Sequence, residues 1–291
     1  MTMPMLKFTR LAAALIAIAL PACARAEPPV WIIRDADSTI TLFGSVHLLP
    51  KVDWRPRGLD ASIKEADDVW FEIPMDAASQ QSAGRIAGSL GPLPNGETLR
   101  PMLNDKTRAR LERIAPELGL SVSQLDRLRP WMADLLLSQM FAQKQGGTQA
   151  QGVEAVLQAE VPASASLKAF ETAEQQVRML AEMPVKDQVA GLAETLRQIE
   201  EEPESYRQVV DYWARGDVKR LEAQALDSIR KASPVYYDVL ITRRNRDWVG
   251  QIKQRLAGSG ETVMIVGAGH LIGPDSVPAM LRKEGVKVEG P

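Results

Sequence analysis

The spacing of apolar positions changes character twice along the chain. Val30 to Arg34 and Thr39 to Phe43 are short β-prone runs separated by Asp35-Ala36-Asp37-Ser38, a hairpin signal. Pro56 to Ala66 takes helical spacing, and Asp68 to Ile73 (DVWFEI) is again apolar and β-prone. From about Asn104 to Leu256 the pattern is mainly amphipathic helix, punctuated at Pro130, Gly146-Gly147, Pro162, Pro184, Pro203, Gly216 and Pro234. Within it a strand is predicted at Ser166 to Phe170, and Val235 to Leu256 reads as one helix. The chain closes with a strand at Thr262 to Val266, a helix near Asp275 to Glu284 stopped by Gly285, and a last strand at Val286-Lys287-Val288. β-rich ends around a helical middle predict an α/β fold. Its central mixed sheet comes from the two chain ends, with flanking helices and a large, mostly helical insertion over roughly 104–256. No stretch is long or polar enough to be a linker, so residues 27–291 read as a single domain.

Residues 1–26 read as a secretory signal peptide instead. Lys7 and Arg10 precede the uncharged run Leu11 to Leu20, and Ala24-Arg25-Ala26 fits a cleavage site before Glu27. That run is short of the roughly 20 residues that span a bilayer. A secreted or periplasmic location follows, with lipidation at Cys23 as the alternative. Cys23 is the only cysteine, so the mature domain relies on packing without a disulfide.

Composition is that of a globular protein, 45% hydrophobic and 25% charged over 291 residues. Cleavage removes Lys7, Arg10 and Arg25 but no acid, leaving 32 basic against 37 acidic side chains. A chain this acidic is not expected to bind nucleic acid non-specifically, which takes clustered Lys and Arg. No second apolar run approaches membrane length, so no span is expected in the mature chain. The run Glu200-Glu201-Glu202-Pro203-Glu204 reads as a solvated helix end without chemistry.

The two histidines of the chain lie in matching contexts. Thr41 to Leu49 is TLFGSVHLL and Met264 to Ile272 is MIVGAGHLI: an apolar strand, then Gly-x-x-His, then two apolar residues. Ligand sites of open α/β sheets lie beyond the carboxyl ends of strands. There Gly44 and Gly267 would let the backbone turn and approach a ligand closely, and His47 and His270 would face one crevice if the strands were neighbours. Such a pair suits a metal or acid–base work. Glu72 ends DVWFEI, where an unpaired carboxylate would be costly to bury, and Glu171 ends SLKAF in the same way. Two histidines with one or two glutamates are donors for a divalent ion such as Mn, Co or Zn, with His47, His270 and Glu72 as expected ligands. Glu154, in Gly152-Val153-Glu154, is the weaker acidic candidate. Arg244-Asn245 could hold a substrate carboxylate or orient Glu72, against a plain basic surface formed with Arg243 and Arg246. Arg129-Pro130-Trp131 reads as a helix start with an aromatic packed behind it. No G-x-S-x-G, P-loop, H-E-x-x-H or C-x-x-C occurs, and Gly267-Ala268-Gly269 lacks the third glycine of a dinucleotide fingerprint.

In the order and spacing of FGSVHLLP, VWFEIP, RPWMADLLLS, GVEAVLQAE, FETAEQQVRMLAEMPVKDQ, YWARGD, RRNRDW and VGAGHLIGPDSVPAMLRKEGVKV, the mature chain resembles the TraB/GumN family. That family is related to the Tiki proteases and more distantly to the erythromycin-esterase and ChaN-like groups. The resemblance implies paired Gly-x-x-His motifs at an active site, with His47, His270 and Glu72 as catalytic and metal-binding residues and Arg244-Asn245 beside them. Glu154 stands where many relatives carry aspartate, a place expected to affect the site from behind. The function so implied is metal-dependent hydrolysis, most directly of a peptide. The alternatives are capture of a peptide or small molecule without turnover, as in pheromone shutdown, and haem or iron binding. Oligomeric state is left open.

Overall fold

A computed structural model describes residues 26–291 of the chain. The expected leader up to Arg25, with Cys23, lies outside the described residues. Six strands are formed: β1 (Val30–Arg34), β2 (Ser38–Ser45), β3 (Asp68–Phe71), β4 (Ser166–Ala169), β5 (Gly260–Gly267) and β6 (Val288–Glu289). They build one sheet in the order β4-β3-β5-β2-β1-β6. β1 runs antiparallel to β2 and β6, whereas β4, β3, β5 and β2 are mutually parallel. The sheet is therefore mixed and drawn mostly from the chain ends, with helices around it.

Sequence accounts for the layering. Val263, Met264, Ile265 and Val266 of β5 are all buried, as expected for a central parallel strand covered on both faces. β1 alternates, burying Trp31 and Ile33. β4 lies at the sheet edge and leaves Leu167 exposed. The main core surrounds the sheet, and a second apolar cluster, including Leu99, Leu111, Leu137, Leu192 and Leu196, is built only from residues between β3 and β5. Trp131 is buried behind the Pro130 helix start as expected. Among the described residues no helix is long and apolar enough to cross a membrane.

Three expectations need correction. Helix begins before Asn104, at Ala77–Leu90, where a run of alanine, serine and glycine carries little apolar periodicity. Val235 to Leu256 is not one regular helix. The Pro234–Tyr237 turn passes through a π-helical turn at Asp238–Thr242 into the Arg243–Leu256 helix, and such turns often mark functional positions. The glutamate run is not merely solvated. Glu200 and Glu201 pair with the nearly buried Arg110, tying the Val185–Glu201 helix to the Asp105–Glu117 helix.

Candidate functional site

The carboxyl ends of β2, β3, β4 and β5 share one edge of the sheet, and each delivers a residue singled out above. In the register Ser45 pairs with Gly267 and Gly44 with Val266, so the two Gly-x-x-His segments leave adjacent parallel strands one step out of phase. Phe71 pairs with both Ile265 and Ala169, which brings Glu72 and Glu171 to the same edge. A Cβ built on Gly44 would lie 3.1 Å from the Ala268 backbone, so the second motif turns tightly over the first. Gly267 marks the point of convergence. A Cβ there would lie 3.0 Å from Glu72 Oε1, 3.7 Å from His270 Cδ2 and 3.8 Å from His47 Nε2. Both imidazoles and the carboxylate thus reach one spot, although they come from opposite ends of the chain.

His270 is buried and locked. The Asn245 amide donates through Nδ2 to the carbonyls of Asp275 (2.7 Å) and His270 (3.4 Å), which turns its Oδ1 toward the ring. His270 Nδ1–H donates to that oxygen at 2.6 Å, leaving Nε2 with a lone pair that accepts from Arg244 Nη1 at 2.9 Å. Burial pushes the His270 pKa down to about 3, so the ring is neutral at physiological pH.

Arg244 sits behind the histidine as a clamp, with its side chain only 11% exposed. Its Nε–H donates to Glu171 (2.9 and 3.2 Å), its Nη1 hydrogens to the Leu240 carbonyl and His270, and Nη2 to Glu72 Oε2 at 2.5 Å. Leu240 belongs to the π-helical turn, so that irregularity supplies one anchor of the fork. Of the two roles open to Arg244 in the sequence, orienting Glu72 is the one its contacts perform. Glu171 also accepts from Trp248 Nε1 at 2.9 Å, and the Trp248 ring lies 4.4 Å from that of His270. Glu72 accepts further from the Gly267 N–H (2.6 Å) and Gln176 Nε2 (3.0 Å). Burial opposes ionisation of Glu72, but the positive charges of Arg244 and His47 and the Gly267 N–H hold its carboxyl well below the usual carboxylate range.

His47 is dressed differently. Its side chain is 68% exposed at the mouth of a cavity of about 480 Å³ that Glu72 and Glu154 also line. Nδ1 meets Glu154 Oε1 at 2.6 Å, and Glu154 also accepts from the Ser45 hydroxyl. The Glu154 charge raises the His47 pKa to about 9, so the imidazolium predominates at neutral pH. The pairing depends on a loop stitched beside the histidine. Leu49 and Thr148 exchange backbone hydrogen bonds (3.2 and 2.8 Å), Val153 N–H reaches the Val46 carbonyl, and a Cβ on Gly152 would collide with the His47 carbonyl. The helix Val153–Gln158 then begins with Glu154 in its first turn.

The structure therefore gathers His47, Glu72, Glu171, Arg244, Asn245 and His270, with Gly44 and Gly267, at one edge. Glu154 stands closer to the chemistry than its rank in the sequence suggested, and Ser45, Gln176 and Trp248 were not singled out. Ser45 lies inside the first Gly-x-x-His motif, where the second has Ala268, and that asymmetry was the available signal. As a cation site the arrangement falls short as it stands. His47 Nε2 makes no hydrogen bond among the described residues, but the His270 lone pair and Glu72 Oε2 are committed to a guanidinium that a divalent ion would have to displace. No group of three or more His, Cys, Asp or Glu side chains placed to hold a metal occurs among the described residues.

Fold and site together define a class: α/β proteins in which two Gly-x-x-His strand ends present paired imidazoles beside a glutamate and an arginine. The chain belongs to the TraB/PrgY/gumN family, whose model matches residues 29–290. It is similar to the uncharacterized protein YbaP of Escherichia coli (strain K12), 26% identical over 257 residues that cover 88% of this chain and 92% of that protein. The uncharacterized protein YbaP of Shigella flexneri is 27% identical over 257 residues, again 88% of this chain and 92% of the relative. No solved structure gives a significant match.

Proposed function

We propose that this chain is a hydrolase, a peptidase acting on a secreted or periplasmic peptide. The observation that carries the reading is the contrast between its histidines: one solvent-facing imidazolium backed by a carboxylate, and one buried neutral ring that holds a second carboxylate's arginine. Titratable groups pushed apart in this way support an acid–base assignment. In this reading the scissile carbonyl lies between Glu72 and His47. The ionised Glu72 orients a water and takes its proton as the water oxygen attacks the carbonyl carbon. His47 Nε2–H gives its proton to the leaving nitrogen as the C–N bond breaks. Solvent then returns a proton to His47 and removes one from Glu72. Glu154 balances the imidazolium charge, while Arg244, His270 and Asn245 hold Glu72 in place.

The metal-dependent form of the reading puts a Mn, Co or Zn ion at His47, His270 and Glu72. The donor types suit it, but the clamp by Arg244 does not, so no step is routed through an ion. Mature protein stripped with chelator, and then reloaded in parallel with each metal, is offered a mixed peptide library. Cleavage by the stripped protein, lost in His47→Gln, is the expected result. Cleavage only after reloading would select the metal-dependent form, and peptide capture without products would replace the peptidase by a binding protein.

A further inference from the structure

The cavity lined by His47 mixes polar and apolar side chains. Its polar corner is formed by His47, Glu72 and Glu154. Its apolar lining includes Leu48, Ile73, Met75 and Leu135. Its volume of about 480 Å³ falls within the roughly 300–1,000 Å³ of small-ligand sites. Leu135 is the informative residue. It lies on the Pro130–Lys144 helix, whose Trp131, Ala133 and Leu137 fill the core, yet it is 48% exposed and faces the cavity. Gln139 is four residues further along the same helix face, and Gln149 faces it from the loop that carries Glu154. Neither glutamine side chain makes a hydrogen bond among the described residues. Among the described residues no lysine or arginine lines the cavity; of its two carboxylates Glu154 is paired with His47, and Glu72 with Arg244.

This lining is what an extended, uncharged peptide needs: apolar surface for a side chain, unspent amides for its backbone, and no lysine or arginine to draw an acidic residue. We infer, resting on the peptidase reading above, that the site takes a peptide segment with a large aliphatic or aromatic side chain next to the bond broken. That side chain packs on Leu135 and Met75, and its flanking backbone bonds Gln139 and Gln149.

The test uses labelled alanine-rich peptides of equal length with one guest residue: Leu, Phe, Lys or Asp. Binding is read by fluorescence anisotropy on the full mature chain carrying His47→Gln, and cleavage on the unmodified protein. The Leu and Phe peptides are expected to bind at least about tenfold more tightly than the Lys and Asp peptides. That preference should collapse in Leu135→Asp, whose site is half open to solvent, and in a separate Met75→Asp variant, with circular dichroism unchanged. Equal binding of all four peptides, or a preference that survives both folded variants, overturns the inference. Selective binding without cleavage by the unmodified protein keeps the side-chain preference as that of a binding site and sinks the peptidase reading, while cleavage indifferent to the guest residue does the reverse. No binding by any peptide ends both.

Discussion

His47 and His270 arise from the same local motif yet titrate in opposite directions: the Glu154 charge raises the first and burial lowers the second. Glu154 faces the first in a wet setting; Asn245 and Arg244 enclose the second in a dry one. Replacing Glu154 by Gln removes the largest influence that holds the proton on His47. The alkaline limb of kcat/KM, set near pH 9 by loss of that proton, should therefore move down toward the ordinary histidine value of 6.5. A pH–rate profile of Glu154→Gln measures this, and an unmoved limb would separate His47 from the proton transfer. Arg244 answers to stability as well as activity. Arg244→Met leaves Glu72 and Glu171 as neighbouring, mostly buried carboxylates without their cation, which should cost about 3 kcal/mol in urea unfolding. Lysine in its place should recover only part of this, because an ammonium cannot reproduce the planar fork.

At the scale of elements, the site depends on two irregular segments, the stitched loop before Val153–Gln158 and the π-helical turn before Arg243–Leu256. Gly152→Ala is the sharpest probe of the first. Its Cβ meets the His47 carbonyl, so the loop must shift and carry Glu154 with it. Cleavage should fall at least about tenfold, with a stability loss of about 1–3 kcal/mol that chemical denaturation will report. The same elements show where sequence reading stops. β2, β3 and β5 were legible because buried parallel strands must be continuous apolar runs, and the repeated Gly-x-x-His fixed which of their ends mattered. His47, Glu72, Glu171, Arg244, Asn245 and His270 were reachable for that reason. Glu154 was undervalued because its importance lies in the docking of one loop on another, and spacing along the chain says nothing about that. The π-helical turn was invisible for a related reason: one extra residue shifts the apolar stripe by about 100°, which a stripe as broad as that of a packed helix absorbs.

For the whole molecule, the site's titrations set a pH optimum of stability. The folded pKa of His270, about 3, lies below its ordinary value of 6.5, so between these values the unfolded chain binds a proton that the fold refuses. Stability therefore falls as pH drops from 6.5 toward 3. The folded pKa of His47 lies above 6.5, at about 9, so its contribution is complete below 6.5 and fades as pH rises through 9. Glu72 and Glu154, both held below their usual range, add to the loss at the acid end. Thermal unfolding across pH should show a maximum near 6.5, with His270→Gln flattening the acid side and His47→Gln the alkaline side. The decisive measurement, however, is kinetic: kcat/KM for a cleaved peptide in His47→Gln beside the unmodified protein at neutral pH. Loss of His47 as proton donor should lower it at least about 100-fold. A value within about twofold of the unmodified protein would contradict the account.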